Sequence, residues 1–177
     1  MLRIKERFIF RLSEKIIMLE YSEDESKAKN ALELYFRRLG VPKTAWEKIK
    51  NKFIKGFKQG WDEAIAEKSL IPNKLEGTGF IDLLFSDIIF RSEQVGYSIG
   101  SMAGTMREHH QYPLQSQNAQ LRYIQFMETL RKRMPEFCNI LKDIINPKIR
   151  KLNLIVEGYE SVKKQSDFLN SLLRALG

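Results

Sequence analysis

Apolar residues recur along this chain at spacings of three and four, and no stretch alternates convincingly with a period of two. That pattern predicts helix nearly throughout, an all-α class, and a single-domain bundle of about six to seven helices over residues 1–177. The first helix is expected over residues 2–21, with Phe8, Ile9, Leu12, Ile16 and Leu19 on one side, ending in the acidic turn 22–26. Ser26 then caps a second helix that runs to Leu39, where Gly40 and Pro42 stop it. Thr44, Ala45, Trp46 and Glu47 have the spacing of a capping box and open a third helix lasting to about Ser69. Pro72, Asn73, Gly77 and Gly79 predict a loop, and a fourth helix follows over residues 80–108. Pro113 and a shortage of apolar anchors predict a mobile connection over 109–117, with the fifth helix beginning near Ser116. Pro135 kinks that helix or opens a short sixth one ending at Ile145. Pro147, capped by Asn146, then opens the last helix, with Leu152, Ile155, Tyr159, Val162, Leu169, Leu172 and Leu176 at near-heptad spacing.

Two ladders of small residues interrupt this amphipathic pattern. Ser92, Gly96, Gly100 and Gly104 stand every fourth position in the predicted fourth helix, and Gly56, Gly60 and Ala64 do so in the third. A glycine inside a helix costs about 1 kcal/mol relative to alanine, so such ladders call for a compensating close approach between helix backbones. They are read as packing grooves, most simply facing each other. On the third helix Trp46, Ile49, Phe53, Phe57, Gly60 and Ala64 share one face and are assigned to the core. Ile54 and Trp61 fall toward its edge and are the candidate partner surface.

The composition narrows the class of partner. At 177 residues, 20.8 kDa and 43% hydrophobic, the chain can build a core without covalent staples. A net charge of +8 and a pI near 9.5 bias it toward anionic partners: nucleic acid, an acidic protein or a lipid surface. Cys138 is the only cysteine, which excludes an intrachain disulfide and a cysteine-based zinc site and suits a reducing, cytoplasmic location. Glu6, Arg7 and Arg11 interrupt what would have to be the apolar core of a secretory leader. The longest uncharged run of the glycine-rich helix, 94–106, is too short to cross a bilayer.

Catalytic machinery is not legible. His109 and His110 are adjacent, so on a helix they would point about 100° apart and share no metal easily. There is no Glu-x-x-His pair, no phosphate-binding glycine loop and no dinucleotide fingerprint. Cys138 falls on an apolar segment and reads as a small hydrophobe. Asp82 is expected to support a helix N-terminus, and Asp87 to pair with Arg91 one turn on. No catalytic residue, metal or cofactor is assigned, and a non-enzymatic binding protein is expected.

The basic rows carry the functional expectation. Arg3, Arg7, Arg11 and Lys15 line the first helix opposite its apolar face. Lys48, Lys52 and Lys55, with Lys58 nearby and Lys43 at the start, line the third helix, and no acid lies between Lys48 and Lys58. Unneutralised rows of this kind suit a nucleic-acid backbone, held through its phosphates without strong base readout. The segment Leu39-Gly40-Val41-Pro42-Lys43-Thr44-Ala45-Trp46 resembles the turn and recognition-helix start of helix-turn-helix DNA-binding domains, over residues 32–52. That resemblance implies that Lys43, Thr44, Lys48 and Lys52 approach DNA. Phe36 departs from it, standing where such motifs usually carry a small residue, and the helix is longer than a recognition helix. The chain is also expected to self-associate into a homo-oligomer or to be a subunit of a complex; the alternative expectations are a cytosolic adaptor or chaperone-like protein-interaction subunit of a larger complex and peripheral membrane attachment through the first helix.

Overall fold

The computed structural model describes residues 2–66, 85, 87–107, 117–154 and 160–177. Among them lie six helices and one 3-10 turn, with no strand. These are α1 (Leu2–Leu39), α2 (Lys43–Ile65), α3 (Ile88–Arg107), α4 (Gln117–Arg133), the turn Pro135–Phe137, α5 (Cys138–Asn153) and α6 (Glu160–Leu176). The loop expected over residues 70–79, Asp82, both histidines and most of the connection 109–117 lie outside the described residues, although Gln117 itself is already helical.

Several boundaries differ from the sequence expectation. The acidic stretch 22–26 does not break the chain, and α1 runs unbroken through it. It contains neither glycine nor proline, Glu23 and Glu25 pair with Lys27 and Lys29 one turn on at 3.0 and 3.2 Å, and Asp24 turns into the core. Gly40 does end α1, with φ +68° in the left-handed region, and the Val41 N–H donates back to the Phe36 carbonyl at 3.0 Å. The capping box at Thr44 is not formed: α2 starts at Lys43, from Pro42, without a side-chain cap, and Thr44 lies inside its first turn. Pro147 does not open a new helix. It sits inside α5, where the missing backbone bond is offset by burial of Ile140, Leu141, Ile144, Ile145 and Ile149 on one face.

α3 is the central helix, and every residue from Ser98 to Met106 is buried. Two of its polar members bond to their own backbone: Ser98 to the Gln94 carbonyl and Thr105 to the Ser101 carbonyl, at 3.0 and 2.7 Å. The helix bends at Arg91 (φ −115°, ψ 24°), just before Ser92. α2 lies against α3 along its length. The backbones of Phe53, Phe57 and Trp61 meet Gly96, Gly100 and Gly104 in ascending order, so the two helices run parallel. The approach is reciprocal, because Gly56 and Gly60 meet the backbone at Glu93, Tyr97 and Ser101. A Cβ on Gly100 would fall 2.7 Å from the Phe57 Cα, one on Gly104 2.7 Å from the Trp61 carbonyl oxygen, and one on Gly56 2.9 Å from the Tyr97 nitrogen. Rigid backbone, not a movable side chain, occupies the space.

α1 packs on the other flank of α2, and the two are antiparallel. Glu33 accepts from Lys50 near the turn, while Asp24 accepts from Trp61 at the far end. The remaining core is closed by α4, α5 and α6, through the ring pairs Phe53–Phe137 (5.3 Å), Phe85–Phe126 (5.5 Å) and Tyr123–Phe168 (5.9 Å). Leu169, Leu172 and Leu176 of α6 are buried, as its heptad pattern predicts. Lys142 anchors the C-terminus through the Gly177 carbonyl at 2.7 Å.

Before Ile17, α1 does not join this core. Ile9, Leu12, Ile16 and Leu19, the face expected to be buried, are between 45% and 70% exposed. Of the predicted face, Phe8 has its side chain outside the described residues. The buried part of α1 begins at Asp24.

Because the ladder contacts are backbone contacts, even the smallest addition is unfavourable there. Gly100→Ala is expected to lower stability in urea titration by ~2 kcal/mol or more, although alanine gains about 1 kcal/mol in helix propensity. The exposed substitution Gln59→Ala should stay within about 0.5 kcal/mol of the parent.

Candidate nucleic-acid interface

The exposed face of α2 follows from its buried one. Ile49, Phe53, Gly56, Phe57, Gly60, Trp61 and Ala64 point into the bundle, which leaves Lys48, Lys52, Lys55 and Lys58 on the solvent side. Their charges are not equally available. Lys58 is 3.0 Å from Asp62 and stands over the Tyr21 ring at 4.8 Å. Lys55 lies 3.8 Å from Glu93 of α3. The acid-free run in the sequence is therefore partly neutralised by the next turn of α2 and by the neighbouring helix. Lys48 and Lys52 are exposed and form no ion pair among the described residues.

Lys43 extends this pair toward the α1–α2 turn. Its Nζ lies 6.0 Å from the centre of the Trp46 ring, and Arg37, at the end of α1, lies at the same distance from that ring. The indole is fixed because Trp46 Nε1 donates to the Val41 carbonyl at 2.8 Å and its ring packs on Phe36 at 5.6 Å. Arg37 has no counterpart among the sequence expectations, and its position next to the turn is the only signal for it. Lys43 to Lys52 spans nine residues, about 14 Å of helix.

The geometry departs from the helix-turn-helix resemblance. Such motifs cross their helices steeply. Here α1 and α2 stay in contact from Phe36 and Trp46 to Asp24 and Trp61, as an antiparallel helical hairpin. Phe36, the residue that departs from the motif, fills the hairpin core at 0% exposure.

The candidate partner surface is also corrected. Trp61 is 1% exposed, and its Nε1 donates to Asp24 Oδ2 at 3.0 Å. Ile54 is half-buried and packs on the core. The edge position of Trp61 on a single helix wheel is covered by α1, through Tyr21 and Asp24. Asp24 is fully buried and accepts two further bonds from Arg107, at 2.8 and 2.9 Å. Burial works against the Arg107 charge, but this bidentate contact outweighs it and raises the guanidinium pKa. One carboxylate thus joins α1, α2 and α3.

The other basic row, Arg3, Arg7, Arg11 and Lys15, is exposed along the free part of α1. Arg3 forms no ion pair with Glu6, nor Arg11 with Glu14, among the described residues. Asp87 does not pair with Arg91. It caps α3 instead, with the Phe90 N–H donating to Asp87 Oδ1 at 3.4 Å. Cys138 is buried at the start of α5, and burial pushes its thiol pKa up. Among the described residues no group of three or more His, Cys, Asp or Glu side chains is placed to hold a metal ion. No helix among them is long and apolar enough to cross a membrane.

Compared with protein-family models, curated proteins and solved structures, the chain matches none.

Two outcomes follow from this geometry. Asp24→Ala leaves the Arg107 guanidinium half-buried without its main partner and should cost about 3–5 kcal/mol in chemical denaturation. Cys138 combines burial with a raised pKa, so a thiol-reactive chromophore at neutral pH should label it in the native protein only as fast as the bundle opens. Rapid labelling of the folded protein would show that the thiol is accessible.

Proposed function

We propose that this protein is a non-enzymatic helical module that binds the phosphate backbone of nucleic acid in a reducing, cytoplasmic setting. The observation that carries this reading is the pair Lys48 and Lys52, exposed and without ion-pair partners among the described residues of the bundle, extended by Lys43 and Arg37 at the turn. Side chains of this type neutralise phosphates as point charges and, in the case of arginine, as a planar fork. The partly exposed Trp46 indole between two cations adds a small flat surface, not a deep pocket. Such a surface suits backbone contact with little sequence preference. The net charge of +8 supplies long-range attraction and makes encounter salt-dependent. Lys55 and Lys58 contribute less, because Glu93 and Asp62 already hold them. An adaptor surface built on Trp61 and the glycine groove is not proposed, since α1 and α3 already fill both.

Fluorescence anisotropy with duplex DNA, single-stranded DNA and RNA tests this directly. Lys48→Glu with Lys52→Glu should weaken binding at least about tenfold for all sequences, with an unchanged helical circular dichroism spectrum. Each phosphate that the variant no longer neutralises should reduce the slope of log affinity against log salt by about 0.7–0.9. Lys55→Glu with Lys58→Glu should have the smaller effect. A parent protein that binds none of the three nucleic acids would rule the proposal out.

A further inference from the structure

The cations around the start of α2 do not form a straight row. Lys48 and Lys52 stand about 40° apart around the helix axis, but Lys43 lies about 140° from Lys48. Lys43 belongs instead to the side where α1 ends, since its Nζ and the Arg37 guanidinium each lie 6.0 Å from the centre of the Trp46 ring. That distance is the outer limit of a cation–π contact, so neither charge is committed to the ring. Neither forms an ion pair among the described residues, whereas Arg38, the next residue of α1, is taken by Glu136 and the Arg133 carbonyl. The cationic surface thus runs from Lys52 to Lys48, crosses the exposed start of α2 at Thr44, and ends beside Trp46. α2 begins there without a side-chain cap, so the positive end of its dipole lies on the same path. Glu47 borders it one turn above Lys43 and is not paired with that lysine. The Trp46 indole is partly exposed and fixed, with Nε1 used by the Val41 carbonyl at 2.8 Å and the ring packed on Phe36 at 5.6 Å. It offers aromatic surface and no spare hydrogen-bond donor.

We infer that this surface takes single-stranded nucleic acid in preference to duplex, with an unpaired base against Trp46 and the neighbouring phosphates on Arg37, Lys43 and Lys48. The inference rests on the nucleic-acid reading above and narrows its substrate. Two constraints select the single strand. The first is access. α1 and α3 lie against α2 on its two flanks. One helix with its side chains is already about 10–12 Å across, and the major groove is about 12 Å wide, so α2 cannot enter it with these neighbours attached. A duplex, stiff over about 150 bp, therefore rests outside the bundle and meets the Lys48 and Lys52 side or the Trp46 side, not both. A single strand bends at each nucleotide and follows the path around the start of α2. The second constraint is the indole. Paired bases are stacked inside the duplex and present no face to it, whereas any unpaired base can stack on an aromatic side chain. Because Trp46 Nε1 is already used, the ring reads no base edge, in keeping with little sequence preference.

Competition against a fluorescent oligothymidylate of about twelve nucleotides reads this preference on the unaltered full chain. Unlabelled single strand should displace the probe at concentrations at least about tenfold below those of a duplex with the number of phosphates matched. A strand of abasic sites keeps the phosphates and loses the bases, and it should bind at least about tenfold more weakly than oligothymidylate. Tryptophan emission should be quenched by the single strand and not by the duplex, with buried Trp61 supplying the unquenched background. Equal affinity for single strand and duplex overturns the inference and leaves nucleic-acid binding standing. So does an abasic strand that binds as tightly as oligothymidylate, or emission that the bound single strand leaves unchanged. A protein that binds neither single strand nor duplex overturns the inference together with the reading it rests on.

Discussion

The contact on which the fold depends is backbone against backbone between α2 and α3. Gly96 and Gly100 receive the carbonyls of Phe53 and Phe57, while Gly56 and Gly60 receive those of Glu93 and Tyr97. Two helices this close exclude side chains from the shared line and displace them to its flanks. Phe53, Phe57 and Trp61 on one helix and Val95, Ile99, Met102 and Met106 on the other are therefore directed outward, toward α1 and the C-terminal helices. The glycines weaken each helix alone, and the packed dispersion contacts on both flanks offset that. The parallel direction of α2 and α3 also prevents a short hairpin from joining them, so the long segment between them is a geometric necessity.

A second constraint holds the far end of this pair. Asp24, in the middle of α1, accepts from Trp61 of α2 and from Arg107 at the end of α3. A buried carboxylate is tolerated only when its oxygens are satisfied, and here three donors from two helices do so. The arrangement has a directional consequence that apolar packing lacks. Leucine in place of Asp24 could slide along its neighbours, whereas the bidentate guanidinium and the indole N–H fix the register of α1 against both helices.

The surface follows from the same geometry. With α3 on one flank of α2 and α1 on the other, only a narrow lysine-bearing strip of α2 remains outward, and acids from adjoining turns select which of its lysines stay available. On the N-terminal side of Ile17, α1 exposes both its basic row and the apolar residues Ile9, Leu12 and Ile16. The exposed basic and apolar strips are thus the parts the core leaves over. Both arise from helices anchored elsewhere along their length.

Local sequence determined the helical class, the stop at Gly40, the core stripes of α2 and α6, and the presence of small-residue ladders, because each depends on periodicity or on one residue's backbone preference. It did not determine whether the acidic stretch 22–26 is a turn or a helix. Propensity there is nearly balanced, and burial of Asp24 against Arg107, 83 positions away, decided it. The same holds for Pro147, where the apolar face of α5 outweighs one missing bond. The lysine row was legible as a row, but its reduction to Lys48 and Lys52 was not, since Glu93 reaches Lys55 only across the α2–α3 contact. Trp61 lay at the edge of an isolated helix and became a core residue when α1 closed over it. In each case a segment's own residues set what it can bury, and tertiary structure decides which neighbour arrives to bury it, because that choice depends on partners distant in the chain.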